Sequence, residues 1–320
     1  MISVVITAHD RKTFLLDAVN SVLNQTLNKG KYEIIVVKNF KEYDDYLESR
    51  GVKSIYTEEK PTGKKIAIGV EESKGNVICL LDDDDMFTKE KLEIVYHEFK
   101  DPRLVFYNNS KIFINEHGDK IGEEKSERIE LLNREKSLKF LRKLSLNISS
   151  TCVNKQIIDL KKLRNIGYVV DVLMYYFAVN YGGKLVKDSR KLTLYRLHGG
   201  NFFAHSSNLS LNEFIAKRFQ YYDFITKISK KISDEFKGSY AERLAMAGYL
   251  SSLFFYTVYK STAFDNRIRS LLIALKYLRQ DLSLTGILFL GSSILFLIYP
   301  QKLYSILYSR YIKKFPVSKR

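Results

Sequence analysis

Apolar positions in the first hundred residues follow two spacings. Ser3 to Thr7 is an apolar, β-branched run. Glu33 to Val37, Val77 to Leu81 and Leu104 to Tyr107 are others. Runs this short and this apolar predict buried strands. Between them Leu15, Leu16, Ala18, Val19, Val22 and Leu23 recur at helical spacing, which predicts an amphipathic helix ending near Gln25. Ile66 to Glu72 reads as a second helix, with Gly75 as its stop. Strands alternating with helices predict an α/β unit built on a mainly parallel sheet with helices on both faces. Glu123 to Lys136 is highly charged and reads as an exposed loop or helix. From about residue 209 the pattern is helical, with Leu244, Leu250, Leu253 and Phe254 set between basic positions.

The apolar pattern changes once more near the end. Leu282 to Gln301 contains no charged side chain, while Lys276, Arg279, Lys302, Arg310, Lys313 and Lys314 flank it. A spanning helix needs roughly 20 mainly apolar residues. This stretch barely reaches that length and is diluted by Gly, Ser and Thr. Three readings stay open: a buried helix, a single span, or a helix lying in a membrane interface.

Charge narrows the partners. The 320 residues carry 52 Lys and Arg against 36 Asp and Glu, a formal net charge of +16. From Leu209 to Arg320 the balance is 18 against 7, so this part carries +11 of the total. A polyanionic partner is implied: nucleic acid, an anionic membrane or a phosphorylated substrate. No nucleic-acid recognition motif is present and the basic residues gather beside the apolar stretch, which favours an anionic membrane surface. Hydrophobic residues at 45% and charged residues at 28% exclude wholesale disorder. Two cysteines, Cys79 and Cys152, exclude a disulfide scaffold and a four-cysteine zinc site. Met1 runs straight into a short apolar run without a basic leader, so the chain reads as cytoplasmic and peripherally membrane-associated through its C-terminal region.

The candidate chemistry lies at strand ends. In open α/β sheets, ligands sit outside the carboxyl ends of the strands. Asp10, Lys38-Asn39 and Asp82-Asp83-Asp84-Asp85 all fall there. Four carboxylates in a row repel one another. They form either a solvated acidic turn that caps the next helix or a site for a divalent cation. Mg²⁺ and Mn²⁺ take oxygen ligands, usually one or two carboxylates together with substrate phosphates. Alternate residues at a strand end, Asp82 and Asp84, converge on one point.

Several segments resemble, in order, those of the inverting glycosyltransferases of family 2. Ser3-Val4-Val5-Ile6-Thr7-Ala8-His9-Asp10-Arg11 is similar to the family's first strand and turn. Ala18, Ser21 and Gln25 match its first helix, and Glu33-Ile34-Ile35-Val36-Val37-Lys38-Asn39 matches its second strand. Lys74-Gly75-Asn76-Val77 through Asp85 matches the stretch carrying the family's D-x-D, which falls on Asp82 and Asp84. The resemblance implies a GT-A fold, a Rossmann-like sheet, over residues 1–205. The nucleotide-sugar half would cover about 1–110 and the acceptor half about 111–205, with residues 206–320 as a helical, basic, membrane-associating region. It further implies a metal, Mn²⁺ or Mg²⁺, on Asp84, with Asp82 facing the nucleotide sugar. Thr7, Ala8, His9, Asp10, Arg11, Lys38, Asn39, Lys65, Asp83 and Arg196 are the further donor-side candidates.

The acceptor half carries two more segments. Val170-Asp171, followed by Gly182-Gly183-Lys184, matches the family's acidic pair with its first member replaced by Val170. Asp171 reads either as a helix N-cap or as the general base that takes the acceptor's proton. Tyr195-Arg196-Leu197-His198-Gly199-Gly200-Asn201 resembles a loop closing over the diphosphate, with Arg196 for charge and His198 as a further metal or phosphate contact. Lys38-Asn39 stands where relatives carry an acidic pair that reads the nucleobase, and Lys38 is read as a phosphate contact. The implied function is metal-dependent transfer of a sugar, with inversion, from a nucleotide-diphosphate donor to a hydroxyl acceptor, a lipid-linked or cell-envelope glycan. A nucleotidyltransferase would need a Gly-rich loop after the first strand, and Thr7 to Phe14 contains no Gly. A catalytically degenerate, membrane-bound scaffold is the other alternative.

Overall fold

Ile2–Thr7 form β1, and all six residues are buried. A strand covered on both faces needs apolar side chains in succession, which explains why the run does not alternate. The structure is a computed structural model that describes residues 1–198 and 209–314. It divides into two units, Met1–His198 and Gly199–Arg320.

In chain order the first unit contains β1, α1 (Leu15–Leu23), β2 (Tyr32–Lys38), α2 (Asp44–Ser49), β3 (Lys53–Tyr56), α3 (Thr62–Glu71) and β4 (Val77–Asp82). Then follow β5 (Met86–Phe87), α4 (Lys91–Glu98), β6 (Leu104–Ile114), β7 (Lys120–Glu123), β8 (Ile129–Leu131) and α5 (Ser137–Leu141). It closes with β9 (Thr151–Asn154), α6 (Leu160–Ile166), α7 (Val170–Tyr181) and β10 (Lys184–Arg196). The strands form one sheet in the order β3-β2-β1-β4-β9-β6-β10-β5, with β7 on β6 and β8 on β10.

The sheet is mixed, which corrects the mainly parallel expectation. β1 is parallel to β2 and β4, β2 to β3, and β6 to β10. β9 is antiparallel to both β4 and β6, and β5, β7 and β8 are antiparallel to their neighbours. Helical crossovers through the first 82 residues impose parallel pairing. After β6, a turn over 115–119 returns the chain directly into β7, and only antiparallel strands close so tightly.

Two strand readings also change. β6 runs on to Ile114 through Asn108, Asn109, Ser110 and Lys111, all buried. A polar run signals a loop, but here most of its polar groups find partners within the fold, Asn109 Oδ1 being the buried exception. Asn109 Nδ2 donates to Thr193 Oγ1 at 2.9 Å, Ser110 Oγ to the Asp188 carbonyl at 2.9 Å and Lys111 Nζ to the Ser145 carbonyl at 2.7 Å. The charged stretch from Glu123 to Lys136 contains β8, which pairs with β10 through Ile129↔Lys187 and Leu131↔Leu185.

Both sheet faces are covered. Val4, Ile6, Val36 and Leu81 pack with Ala18, Val19 and Val22 of α1 and Leu92 and Val95 of α4. Each such buried aliphatic contributes about 1.5–3 kcal/mol. On the other face α3 approaches β1 so closely that a Cβ on Gly69 would lie 2.5 Å from Val5 Cγ1. Cys79 and Cys152 face each other across β4 and β9, are fully buried, and form a disulfide.

The second unit contains α8 (Leu211–Glu235), α9 (Glu242–Lys260), α10 (Phe264–Gln280), α11 (Leu284–Ile298) and α12 (Pro300–Lys314). Ser210 and Glu213 cap α8 reciprocally. Its core is aromatic: Tyr259 stacks on Tyr222 at 5.6 Å and on Tyr304 at 6.2 Å, and Tyr277 on Phe289 at 4.5 Å. No helix among the described residues is long and apolar enough to cross a membrane. The single-span reading of 282–301 therefore falls: α11 stops at Ile298, and Pro300, which has no N–H to continue a helix, opens α12.

Candidate active site

The register of the parallel strands sets three chain ends side by side. Thr7 pairs with Val37 of β2 on one side and with Asp82 of β4 on the other. The chain order reverses between β1 and β4, which makes their carboxyl ends the crevice where α/β sheets take ligands. Asp10 and Arg11 leave from β1, Lys38 and Asn39 from β2, and Asp83 to Asp85 from β4.

The three ends are tied together. Ala8 N donates to the Val37 carbonyl at 3.0 Å. Asp10 N donates to Asn39 Oδ1 at 2.9 Å, and Asn39 Nδ2 donates back to Asp10 Oδ1 at 2.6 Å. Asp10 holds a left-handed φ of 58°, a conformation that costs free energy and gathers at functional sites. His9 Nε2 lies 3.4 Å from Asp10 Oδ2. Lys65, on the first turn of α3, is 2% exposed, and Nζ has one long hydrogen bond, 3.4 Å to the Ala8 carbonyl. Burial pushes its pKa down to about 8, against the attraction of Asp83, Asp10 and Asp82.

The aspartates form a compact turn, with Asp85 N donating to the Asp82 carbonyl at 3.3 Å. Asp82, Asp84 and Asp85 each offer a carboxylate oxygen, and these oxygens lie within 4.8 Å of one another. Burial, and then mutual repulsion, raises Asp82 well above the ordinary carboxylate range and Asp85 to about 7. Asp83 is pushed up to about 6 by burial, although Arg11 opposes the shift. Arg11 ion-pairs with Asp83 and, at 2.8 Å, with Asp84. His198 Nε2 lies 3.0 Å from Asp84 Oδ2 and 3.1 Å from Arg11 Nη1. Asp85 Oδ2 is buried without a partner. Hard oxygen donors crowded together, an orphaned carboxylate oxygen and an adjacent imidazole suit Mn²⁺ or Mg²⁺.

Two sequence candidates do not point where expected. Lys38 is fully buried and gives its ammonium to Asp44 Oδ1 at 2.6 Å and to the Phe40 carbonyl. A partner six residues along the chain holds it away from the ligand crevice, which corrects its reading as a phosphate contact. Arg196 is 1% exposed. Its guanidinium donates to the Asp84 carbonyl at 2.9 Å, the Glu116 carbonyl at 2.7 Å and Asp17 Oδ2 at 3.0 Å, and it stacks on Phe14. Its backbone N–H donates to Asp85 Oδ1 at 2.9 Å. Arg196 braces the aspartate turn from behind. It is not part of a mobile loop over a diphosphate. Gly199, Gly200 and Asn201 lie outside the described residues.

Asp171 sits one residue inside α7, not at its N-cap, which is Val169 at a left-handed φ of 48°. Its Oδ1 accepts from Val172 N at 3.0 Å. Burial raises its pKa, with Lys111 pulling the other way. Tyr195, which sequence reading did not single out, lies within electrostatic reach of this acid and of the aspartate turn. Its phenol is pushed up by burial and then by the carboxylates of Asp85, Asp84, Asp82 and Asp171. Lys91 was missed as well. It is fully buried, with Nζ 3.1 Å from Thr193 Oγ1 and 3.6 Å above the Phe87 ring, and burial pushes its pKa well down against the attraction of Asp85. Asp85 was visible in the run of four, whereas Lys91 reads from sequence as an ordinary exposed helix residue.

Residues 3–159 match the model for glycosyl transferase family 2. The first unit carries a family 2 glycosyltransferase domain. An uncharacterized glycosyltransferase of Rickettsia conorii is 32% identical over 124 residues, covering 37% of this chain and 20% of that protein. One of Rickettsia bellii is 30% identical over 124 residues, covering 37% and 18%. The chain thus spans about a fifth of the length of the curated relatives it matches. Among solved structures, residues 1–349 of S. aureus TarS superpose with a TM-score of 0.57 at 12% identity, covering 98% of this chain and 90% of that one. The complex of TarS 1–349 with UDP-GlcNAc gives 0.54 at 14%, covering 97% and 91%. At these identities the likeness is one of fold. It extends past the family 2 domain, since nearly the whole chain is covered.

Proposed function

We propose that this family 2 domain transfers a sugar, with inversion, from a nucleoside-diphosphate sugar to a hydroxyl acceptor. The observation that carries the reading is the meeting of Asp82, Asp84, Asp85 and His198 at the β1/β4 crevice. Asp82, Asp84 and His198 are the residues that would hold Mn²⁺ or Mg²⁺, with Asp85 as a further donor. Such an ion neutralises charge on a diphosphate leaving group. Lys65 and Arg11 supply further positive charge on the donor side.

The acceptor oxygen attacks the anomeric carbon on the face opposite the diphosphate. The C–O bond to the diphosphate breaks and takes its electron pair with it, while the acceptor's proton passes to Asp171. A carboxylate with a raised pKa suits that proton transfer. UDP is the first carrier to test, because the TarS complexes hold UDP-GlcNAc and UDP. The basic helical unit supports a working place at an anionic membrane surface, and a lipid-linked or cell-envelope glycan as acceptor.

The test is calorimetric titration of UDP, GDP, ADP and dTDP, with and without Mn²⁺, into the full chain and into Asp84→Ala. Metal-dependent binding of one nucleotide, lost in the variant, supports the reading. Absence of binding by all four overturns it in favour of a degenerate scaffold.

A further inference from the structure

The second unit leaves one helix face uncovered. On α11, Leu284, Ile287, Leu288, Ile294 and Ile298 are 70, 57, 59, 44 and 57% exposed. Their spacing of three, four and seven residues puts them on one stripe. The opposite side is accounted for by Gly286, Ser293 and Phe296, which are buried. A continuous stripe of large apolar residues in contact with water marks an interaction surface, not scattered exposure.

The surroundings of the stripe select its occupant. Between 276 and 314 the sequence holds six Lys or Arg and one acid, Asp281, which is buried. Lys276, Arg279, Lys302 and Arg310 are exposed, and no acid among the described residues pairs with them. At α11 the apolar stripe is thus bracketed by cations on the preceding and following helices. That pattern complements an acyl layer beneath anionic headgroups, where each basic residue contributes favourably. A second copy of the same face would bring those cations against their own kind. The 15 residues of α11 extend about 22 Å at 1.5 Å each, short of the roughly 30 Å of hydrocarbon. It therefore lies along the surface and does not pierce it.

We infer that the Leu284–Ile298 stripe, with Lys276, Arg279, Lys302 and Arg310 around it, is an in-plane docking face for a bilayer bearing anionic lipid headgroups. This rests on the membrane-surface part of the proposed function and assigns it to one helix face. The experiment is flotation of the full chain with vesicles of phosphatidylglycerol and phosphatidylcholine, or of phosphatidylcholine alone. The full chain should float with the mixed vesicles at low salt, and barely with neutral ones. Ile287→Glu/Ile294→Glu should weaken binding at least tenfold, and Lys276→Glu/Lys302→Glu severalfold, with far-ultraviolet circular dichroism unchanged. Leu132→Glu, an exposed apolar residue in the first unit, should bind like wild type.

Wild-type flotation that survives Ile287→Glu/Ile294→Glu overturns the face while leaving membrane attachment intact. Absence of wild-type flotation overturns both. A wild-type dimer in light scattering that this double variant turns into a monomer, with no vesicle binding by either, overturns the inference in favour of a second copy.

Discussion

His198 Nε2 lies 3.0 Å from Asp84 Oδ2 across 114 residues of sequence. The same nitrogen is 3.1 Å from Arg11 Nη1. Arg11 only donates and the carboxylate only accepts, so Nε2 serves one of them at a time: as N–H toward Asp84 or as a lone pair accepting from Arg11 Nη1. A lone pair beside three convergent carboxylates is placed for a metal. His198→Ala should therefore weaken Mn²⁺ binding about tenfold or more, the scale seen when supporting groups of metal sites are removed. Nucleotide affinity should fall only when Mn²⁺ is present. Calorimetric Mn²⁺ titration of both proteins checks this, and equal affinities would exclude His198 from the site.

Lys65 should make donor binding pH-dependent. Its pKa is pushed down to about 8 by burial, so below that pH it is charged and above it largely neutral. A bound diphosphate favours the charged form. Above pH 8 the protein must take up a proton to bind, and affinity falls by up to about tenfold per pH unit. Below pH 8 the affinity is flat with respect to this group. Calorimetry at pH 8.5 in two buffers of different ionisation enthalpy reads the proton uptake directly. Lys65→Arg, charged throughout, should abolish both the uptake and the alkaline loss.

Asp171 is set to separate chemistry from binding. Asp171→Asn keeps the shape and the contact with Val172 N but cannot take a proton. Loss of a general base costs about 10²–10⁴ in rate. The expected result is a fall of that size in kcat, read as nucleotide release from the donor the calorimetric panel identifies, with a membrane extract supplying the acceptor. Nucleotide affinity should stay within about twofold. Because burial raises the Asp171 pKa, the acid limb of kcat should lie above the ordinary carboxylate range. An equal loss in binding and kcat would make Asp171 a structural residue.

The parts of this site that were legible in the sequence are those whose meaning is local. An apolar run that ends in acids announces a strand reaching a polar crevice, which is how Asp10 and Asp82 to Asp85 came into view. β1, β2 and β4 were legible as apolar runs, whereas β3, a half-exposed edge strand with no such run, was not. The rest depended on partners far along the chain. Arg196 looked like a diphosphate ligand because its residue type suits one, yet Asp17, 179 residues away, holds its guanidinium. The strand read over Leu104 to Tyr107 stopped short of Asn108 to Lys111 because the acceptors that let polar groups enter a strand lie on β10 and near Ser145. Tyr195 was within a motif that did resemble the family, but the charges that act on its phenol gather only once β10 has paired with β6. The register of β10 against β6 shifts between Asp188 and Lys191 and again before Thr193, and no residue type there announces the bulges.

Lys38 tests how far the crevice chemistry differs from an acidic-pair relative. Its ammonium is sealed under the end of β2 by Asp44 and the Phe40 carbonyl. Lys38→Met keeps the length and the apolar packing and removes the charge. It leaves a carbonyl and part of a carboxylate without their donor, a loss worth about 1–3 kcal/mol. Denaturant unfolding should show that loss, with nucleotide affinity unchanged within about twofold. The pH dependence has a defined sign. Asp44 is held below its ordinary pKa by the Lys38 and Ser54 hydrogen bonds, which outweigh burial. Its contribution is fully present above the unfolded carboxylate pKa and is lost as pH falls through the lower folded value. Lys38→Met should thus narrow the stability gap between neutral and acid solution. A large drop in nucleotide affinity with little change in stability would instead return Lys38 to the donor site.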